Sequence, residues 1–260
     1  MRQIAIQLNM KTLLHLVVEL QDLFSLLKEK LIDLKYIFSF LFKKYFILIL
    51  LCIKKVVTKY ILKSKIYKEN WINDERYAYG KIPLECSILC KLDHANIIKV
   101  LEVFQDEEHI QMVMEKHGCG MDLFEFIDRQ RNYIEENLAS YIFRQIVSAV
   151  AYLHSNNLVH RDIKDENIVI NEQFQIKLID FGSAAYITKG KKFATFCGTL
   201  DYCSPDVLLG NKYFGPELDI WTCGIALYTL IFSENPFIDA EETIECILKP
   251  PFKVSKGKNY

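Results

Sequence analysis

Glycine is absent from the first 79 residues of this 260-residue chain; the first is Gly80. Residues 1–53 also lack proline. Such a segment has few turn formers and none of the small residues that let backbone amides close around a phosphate. No phosphate-cradling loop is therefore read in residues 1–58. Neither sign of charge is in excess: 32 Lys and Arg against 33 Asp and Glu give a formal net charge of −1, which excludes bulk electrostatic binding of nucleic acid. The eight cysteines include no Cys-x-x-Cys pair. Cys86 and Cys90 can share a helix face but lack two further ligands, so zinc is not expected and no disulfide framework is implied. The apolar run Tyr45–Ile53 has nine residues, short of the ~20 of a membrane span. Extending it back to Tyr36 meets Lys43-Lys44. No membrane partner and no cleaved secretory signal are expected.

What is present falls into two parts. In residues 1–53, Leu13, Val17, Leu20, Phe24, Leu27, Leu31, Leu34, Phe38 and Leu41 alternate spacings of four and three. That is a coiled-coil-like helical seam, though the segment is apolar enough to match other registers. The rest of the chain carries motifs. The run His160-Arg161-Asp162-Ile163-Lys164-Asp165-Glu166-Asn167 is followed, eighteen residues after Asp162, by Asp180-Phe181-Gly182. Upstream, Leu138–His154 places Ile142, Ile146, Val150 and Leu153 at helical spacing. Ile168–Ile170 and Ile176–Ile179 read as short strands around Asn171-Glu172. Val56–Ile61 and Ile110–Met114 read as strands, and Pro83–Leu89 as a helix with Pro83 in its first turn.

In this order and spacing, the two motifs resemble the catalytic loop and metal-binding turn of protein kinases. Narrower stretches are HANIIKVL (94–101), VMEKHG (113–118), HRDIKDENIVI (160–170), IKLIDFGSAAY (176–186) and TFCGT (195–199). These resemble the PAS kinase family over about Lys54–Ser255. The resemblance implies an α/β (α+β), two-lobed fold and transfer of the γ-phosphoryl of ATP, with Mg2+, to protein Ser/Thr. A lysine two residues after the catalytic aspartate is the Ser/Thr-kinase pattern.

Residue roles follow from the resemblance. Asp162 takes or orients the hydroxyl proton, Lys164 contacts the moving phosphoryl, and Asn167 and Asp180 hold the metal. Lys59 grips the nucleotide phosphates and Glu85 pairs with it. Met114 stands at the back of the adenine site, and the backbones of Glu115 and His117 bond the adenine edge. Asp122 reaches the ribose or caps a helix. Gly198-Thr199 shapes the peptide-docking loop. Glu166 and Glu234 accept a substrate arginine, or are solvated surface carboxylates. Thr195 is a phosphorylation candidate beside Arg161. Asp219 matches the buried carboxylate that holds the catalytic-loop backbone. The family also implies protein substrates with basic residues upstream of the Ser/Thr, a metabolic-sensing role and a cytoplasmic or nuclear location; oligomeric state stays open.

Three departures qualify this. The Gly-rich loop that should precede Lys59 is not there, so the small lobe is expected to lack it. Ser204-Pro205-Asp206 stands where the family has Ala-Pro-Glu, and the shorter Asp206 should anchor its segment less well. The large lobe is expected to stop soon after its central helix, leaving Trp221, Ile225, Leu227 and Phe232 partly uncovered. The organisation read is an atypical apolar helical segment (1–53), a partial small lobe (54–116) and a partial large lobe (117–260). The alternative reading is a catalytically impaired kinase-fold binding module.

Overall fold

The computed structural model describes residues 56–75, 80–130, 133–195 and 197–254. The helical seam, the Tyr36–Ile53 run and nearly all of the region expected to lack a Gly-rich loop lie outside the described residues. Among the described residues no helix is long and apolar enough to cross a membrane.

The chain forms two compact units. The first comprises Met1–Lys68 and Val100–Lys116. Its described part is an antiparallel sheet in the order β1 (Val56–Leu62), β5 (His109–Glu115), β4 (Val100–Gln105). β5 is central, and Ile110, Met112, Val113 and Met114 are buried along it. A near-continuous apolar run suits a strand covered on both faces. β1 shows no such run: on one face Val56 and Thr58 are buried while Tyr60, two residues further on, is exposed, so burial fades along the strand. The β4–β5 turn is closed by Asp106, whose Oδ1 accepts the Glu108 and His109 N–H groups at 2.9 and 2.7 Å.

The second unit comprises Glu69–Lys99 and His117–Tyr260. It opens with the β2 (Trp71–Asn73) and β3 (Lys81–Pro83) pair and helix α1 (Leu84–Leu89). Pro83, expected inside the first helical turn, is instead the residue before it; its fixed φ of −58° with ψ of 145° ends the strand and starts the helix. Helix α2 (Leu123–Asp128) is capped by Asp122, whose Oδ1 accepts the Glu125 N–H at 2.7 Å. Helix α3 (Glu136–Ser155) buries Ile142, Ile146, Val150 and Leu153 and packs against α5 (Gly215–Phe232).

β6 (Leu158–Val159) pairs with β9 (Ala185–Tyr186). β7 (Ile168–Ile170) pairs with β8 (Ile176–Leu178) as a hairpin. The two pairs bracket residues 160–167 and 179–184, so both sequence motifs lie in short connections held at each end by a ladder. Helices α4 (Pro205–Leu208) and α6 (Ala240–Glu245) complete the unit.

Two of the residues expected to be uncovered are not. Ile225 lies in a buried cluster with Tyr202 and Phe237, and Phe232 is buried against Tyr228 and Phe252. Tyr228 is on α5 itself, while Tyr202, Phe237 and Phe252 come from segments outside the α-helices. Trp221, stacked on Phe237 at 5.9 Å between centroids, and Leu227 are half-buried.

Gly118 follows the first unit's last strand and sits against the β7–β8 turn. Its φ is +52°, and an added Cβ would lie 2.9 Å from the Cα of Asn171. Backbone cannot yield as a flexible side chain can. Gly118→Ala is therefore expected to lower stability by about 1–3 kcal/mol, read as a shift in the urea midpoint. An unchanged midpoint would contradict this packing.

Candidate active site

Asp219, fully buried on α5, organises the loop from beneath. Its Oδ2 accepts the His160 backbone N–H at 3.0 Å and its Oδ1 accepts that of Arg161 at 2.8 Å. His154 Nε2 lies 2.9 Å from Oδ2. This is the role read for Asp219 from the sequence; the His154 contact was not foreseen. Three donors around one carboxylate satisfy most of its acceptor capacity, which burial requires. They also hold Arg161 at φ +64°, a left-handed backbone unusual for a residue with a side chain.

That turn aims the next residues. Asn167 Nδ2 donates to the Asp162 backbone oxygen at 2.8 Å and to Asp162 Oδ2 at 3.0 Å. Thr199 Oγ1 lies 3.2 Å from Asp162 Oδ1 and accepts from Lys164 Nζ at 2.9 Å. Asp162, Lys164, Asn167 and Thr199 thus form one connected polar group, brought together from positions up to 37 residues apart. Lys164 also lies 3.5 Å from Glu166. Partial burial, and next the neighbouring Asp165 carboxylate, raise the Glu166 pKa, against the pull of Lys164.

The Asp180-Phe181-Gly182 turn follows β8. Asp180 adopts φ +58°, and its Oδ1 accepts the Gly182 N–H at 3.3 Å. Phe181 is buried and meets the His160 ring edge-on at 4.7 Å. Glu85 on α1 is near: a Cβ on Gly182 would be 3.9 Å from Glu85 Oε2. Arg161 donates from Nε to the Ser183 oxygen at 2.7 Å, and its guanidinium lies 4.6 Å from the centre of the Phe193 ring. Thr195 is exposed, with its backbone oxygen bonded by the Tyr213 hydroxyl at 3.0 Å. Asp206 is exposed and Glu234 is exposed.

The oxygen donors suit a hard cation. Asn167 commits its amide nitrogen to Asp162, which leaves its carbonyl oxygen as the atom able to ligate. Among the described residues no three His, Cys, Asp or Glu side chains converge as a self-sufficient metal site. A cation held by Asn167 and Asp180 needs further oxygens from phosphate or water, the way magnesium is usually bound.

The remaining candidates divide between the units. Lys59 lies on β1 opposite Met112, and Met114 and Glu115 end β5, all in the first unit. His117 begins the long second segment of the other unit, where its Nε2 lies 2.8 Å from the Gln175 oxygen. For Asp122, whose two roles the sequence left open, the cap is the one present; its Oδ2 is the oxygen outside that bond.

His160 gives the site a pH limit. Its Nε2 lies 3.2 Å from the Ile179 oxygen and its Nδ1 accepts the Asp162 N–H at 3.3 Å, an arrangement only neutral imidazole can make. Complete burial lowers its pKa below the ordinary 6.5, against the pull of Asp219 and Asp162. A lowered folded pKa means stability fully present above 6.5 that is lost as the pH falls towards the folded value. Below 6.5 the chain should lose up to about 1.4 kcal/mol per pH unit from this group. Urea midpoints between neutral pH and pH ~5 test it; a His160→Asn variant with the same acid slope would refute the assignment.

Residues 47–256 match the protein kinase domain family, and the chain belongs to that family. Within it, the chain is 60% identical over 205 residues to the PAS domain-containing serine/threonine-protein kinase of Mus musculus, covering 79% of this chain and 15% of that one. It is 42% identical over 207 residues to Serine/threonine-protein kinase ppk6 of Schizosaccharomyces pombe (78% and 26%). It is 42% identical over 210 residues to Serine/threonine-protein kinase PSK1 of Saccharomyces cerevisiae (76% and 15%). The resemblance to PAS kinase read from the motifs therefore stands. The chain spans between 15% and 26% of the length of these relatives.

Proposed function

We propose that this chain is the catalytic part of a Ser/Thr protein kinase of the PAS kinase type, transferring the γ-phosphoryl of ATP to Ser or Thr in proteins. The observation that carries the reading is the connected set of Asp162, Lys164, Asn167 and Thr199 suspended from Asp219. Phosphoryl transfer asks the protein mainly for alignment and charge neutralisation, and this set supplies both.

Asp162 receives the hydroxyl proton at Oδ1 or Oδ2. Thr199 and Asn167 fix the carboxylate's rotation through one oxygen each. Lys164 holds a positive charge at the same place. Bound magnesium supplies charge neutralisation for the ATP phosphates, and Asn167 and Asp180 are the residues that would hold it. Lys59 with Glu85 would position the nucleotide phosphates. Met114 and the backbones of Glu115 and His117 would contact adenine, and Asp122 the ribose through Oδ2. Glu166 and Glu234 would take a substrate arginine, and Thr199 the peptide backbone around the acceptor. Thr195 would be a phosphorylation site. The expected substrates carry basic residues before the Ser/Thr, and the location is cytoplasmic or nuclear.

The test is magnesium-dependent transfer from ATP to a basic Ser/Thr peptide by the full chain, beside Asp180→Ala. Transfer that disappears in the variant and with EDTA supports the reading. A folded chain that binds nucleotide but transfers nothing would replace it with a kinase-fold binding module.

A further inference from the structure

Asp165 and Tyr202 have no part in the roles above, yet their side chains meet at the centre of the unit. Asp165 is 4% exposed and sits in the single turn between Lys164 and Asn167. Its Oδ1 accepts the Tyr202 hydroxyl at 2.7 Å and the Glu166 N–H at 3.1 Å. Tyr202 is 8% exposed, and its ring lies in the cluster with Ile225 of α5 and Phe237. Burial, and then the Asp165 carboxylate, push the phenol pKa up, so the hydroxyl keeps its proton. The Tyr202 N–H in turn closes the turn opened by Thr199, bonding the Thr199 oxygen at 3.1 Å.

Among the described residues no ion pair holds Asp165; a buried carboxylate so placed is costly, and an apolar residue in its place would cost less for folding alone. What the carboxylate adds is direction. It ties the catalytic loop, one residue from Lys164, to the segment that carries Thr199, three residues from Tyr202. Core packing fixes the Tyr202 ring, so the bond transmits a fixed position.

We propose that the Asp165–Tyr202 hydrogen bond is a latch that holds the Thr199 turn against the catalytic loop, keeping Thr199 on Asp162 and Lys164. Asp165 and Tyr202 are then positioning residues for phosphoryl transfer. This inference rests on the reading of Asp162 as the group that takes the hydroxyl proton. Breaking the latch leaves the nucleotide-binding residues in place and loosens only the alignment of Asp162 and Lys164.

The experiment compares the full chain with Tyr202→Phe, Asp165→Ala, their double variant and Asp165→Asn. Tyr202→Phe and Asp165→Ala should each lower kcat for the peptide roughly tenfold, with the ATP KM within about twofold. The double variant should be no worse than Asp165→Ala, because the bond can be lost only once. Asp165→Asn keeps an acceptor for the hydroxyl and should recover most of the loss. Single effects that multiply in the double variant, or an ATP KM that rises with the loss, would overturn the latch. Amide hydrogen exchange gives a readout free of activity. In Tyr202→Phe, exchange should rise in both segments 163–170 and 199–204. A rise confined to 199–204 overturns the proposal. A wild-type chain that transfers no phosphate would defeat the kinase reading, while the exchange result would still decide the latch.

Discussion

Asp162→Asn is expected to lower peptide phosphorylation by roughly 10²–10⁴-fold, the range that a positioned general base contributes. The substitution keeps the size of the side chain and exchanges one carboxylate oxygen for an NH2 group. Asn167 donates to Oδ2 and the Thr199 hydroxyl lies against Oδ1, so both oxygens have a partner that favours an acceptor. An amide can meet both by turning its oxygen to Asn167 and its NH2 to the Thr199 hydroxyl oxygen, which can accept. It can no longer take a proton. Folding should be little affected, because Asp162 is only partly buried and its backbone oxygen still accepts from Asn167. The check is peptide kcat together with the urea midpoint. A fall in kcat with an unchanged midpoint fits. A variant retaining a third or more of the activity would remove Asp162 from the proton-transfer role.

Asp219→Ala should have the largest effect on stability, about 3–5 kcal/mol, the cost of removing one partner from a buried charged group. The carboxylate is fully buried and takes the His160 and Arg161 backbone N–H groups with His154 alongside. Alanine leaves those donors without an acceptor, in a space too enclosed to offer bulk water as a replacement. It also releases the left-handed backbone at Arg161 from the bonds that enforce it. Activity should therefore fall with stability, through the displaced Asp162. Asp219→Asn keeps one acceptor oxygen and should recover part of both losses. Chemical denaturation measures the first and peptide phosphorylation at low temperature the second. A midpoint within experimental error of wild type would mean that the loop is held by something other than Asp219.

The elements that were legible are those whose cause is local. Helix α3 was expected over Leu138–His154 and runs Glu136–Ser155, because its apolar positions at three- and four-residue spacing leave one face to bury. The strand around Lys59 followed from its apolar, β-rich run, and the pair around Asn171 from short β-branched runs on either side of Asn171-Glu172. The less legible points had two competing local causes. Asp122 could serve a ligand or a helix end, and the sequence gives no distance to choose between them; its Oδ1 caps α2. Pro83 suits both the last position of a strand and the first turn of a helix, and pairing with Trp71 put it on the strand side. The cover on Ile225 and Phe232 was missed because it comes from Tyr202, Phe237 and Phe252, which lie outside the α-helices, Tyr202 in a single 3-10 turn packed against α5.

By itself the sequence determined the residue types that the chemistry needs and their order: Asp162, Lys164, Asn167 and Asp180 within nineteen positions. A motif of that kind is written in a few consecutive turns of chain, so no distant contact is needed to recognise it. Only the tertiary structure decided which atoms face one another. Thr199 meets Asp162 across 37 positions, Tyr202 meets Asp165 across 37, and Asp219 meets the Arg161 N–H across 58. Such pairs depend on where helices and loops come to rest when their apolar faces are buried. Burial is non-directional, so a one-dimensional pattern specifies that a face will be covered without specifying by what. Hydrogen bonds supply the direction, and they form only once packing has brought donor and acceptor within about 3 Å.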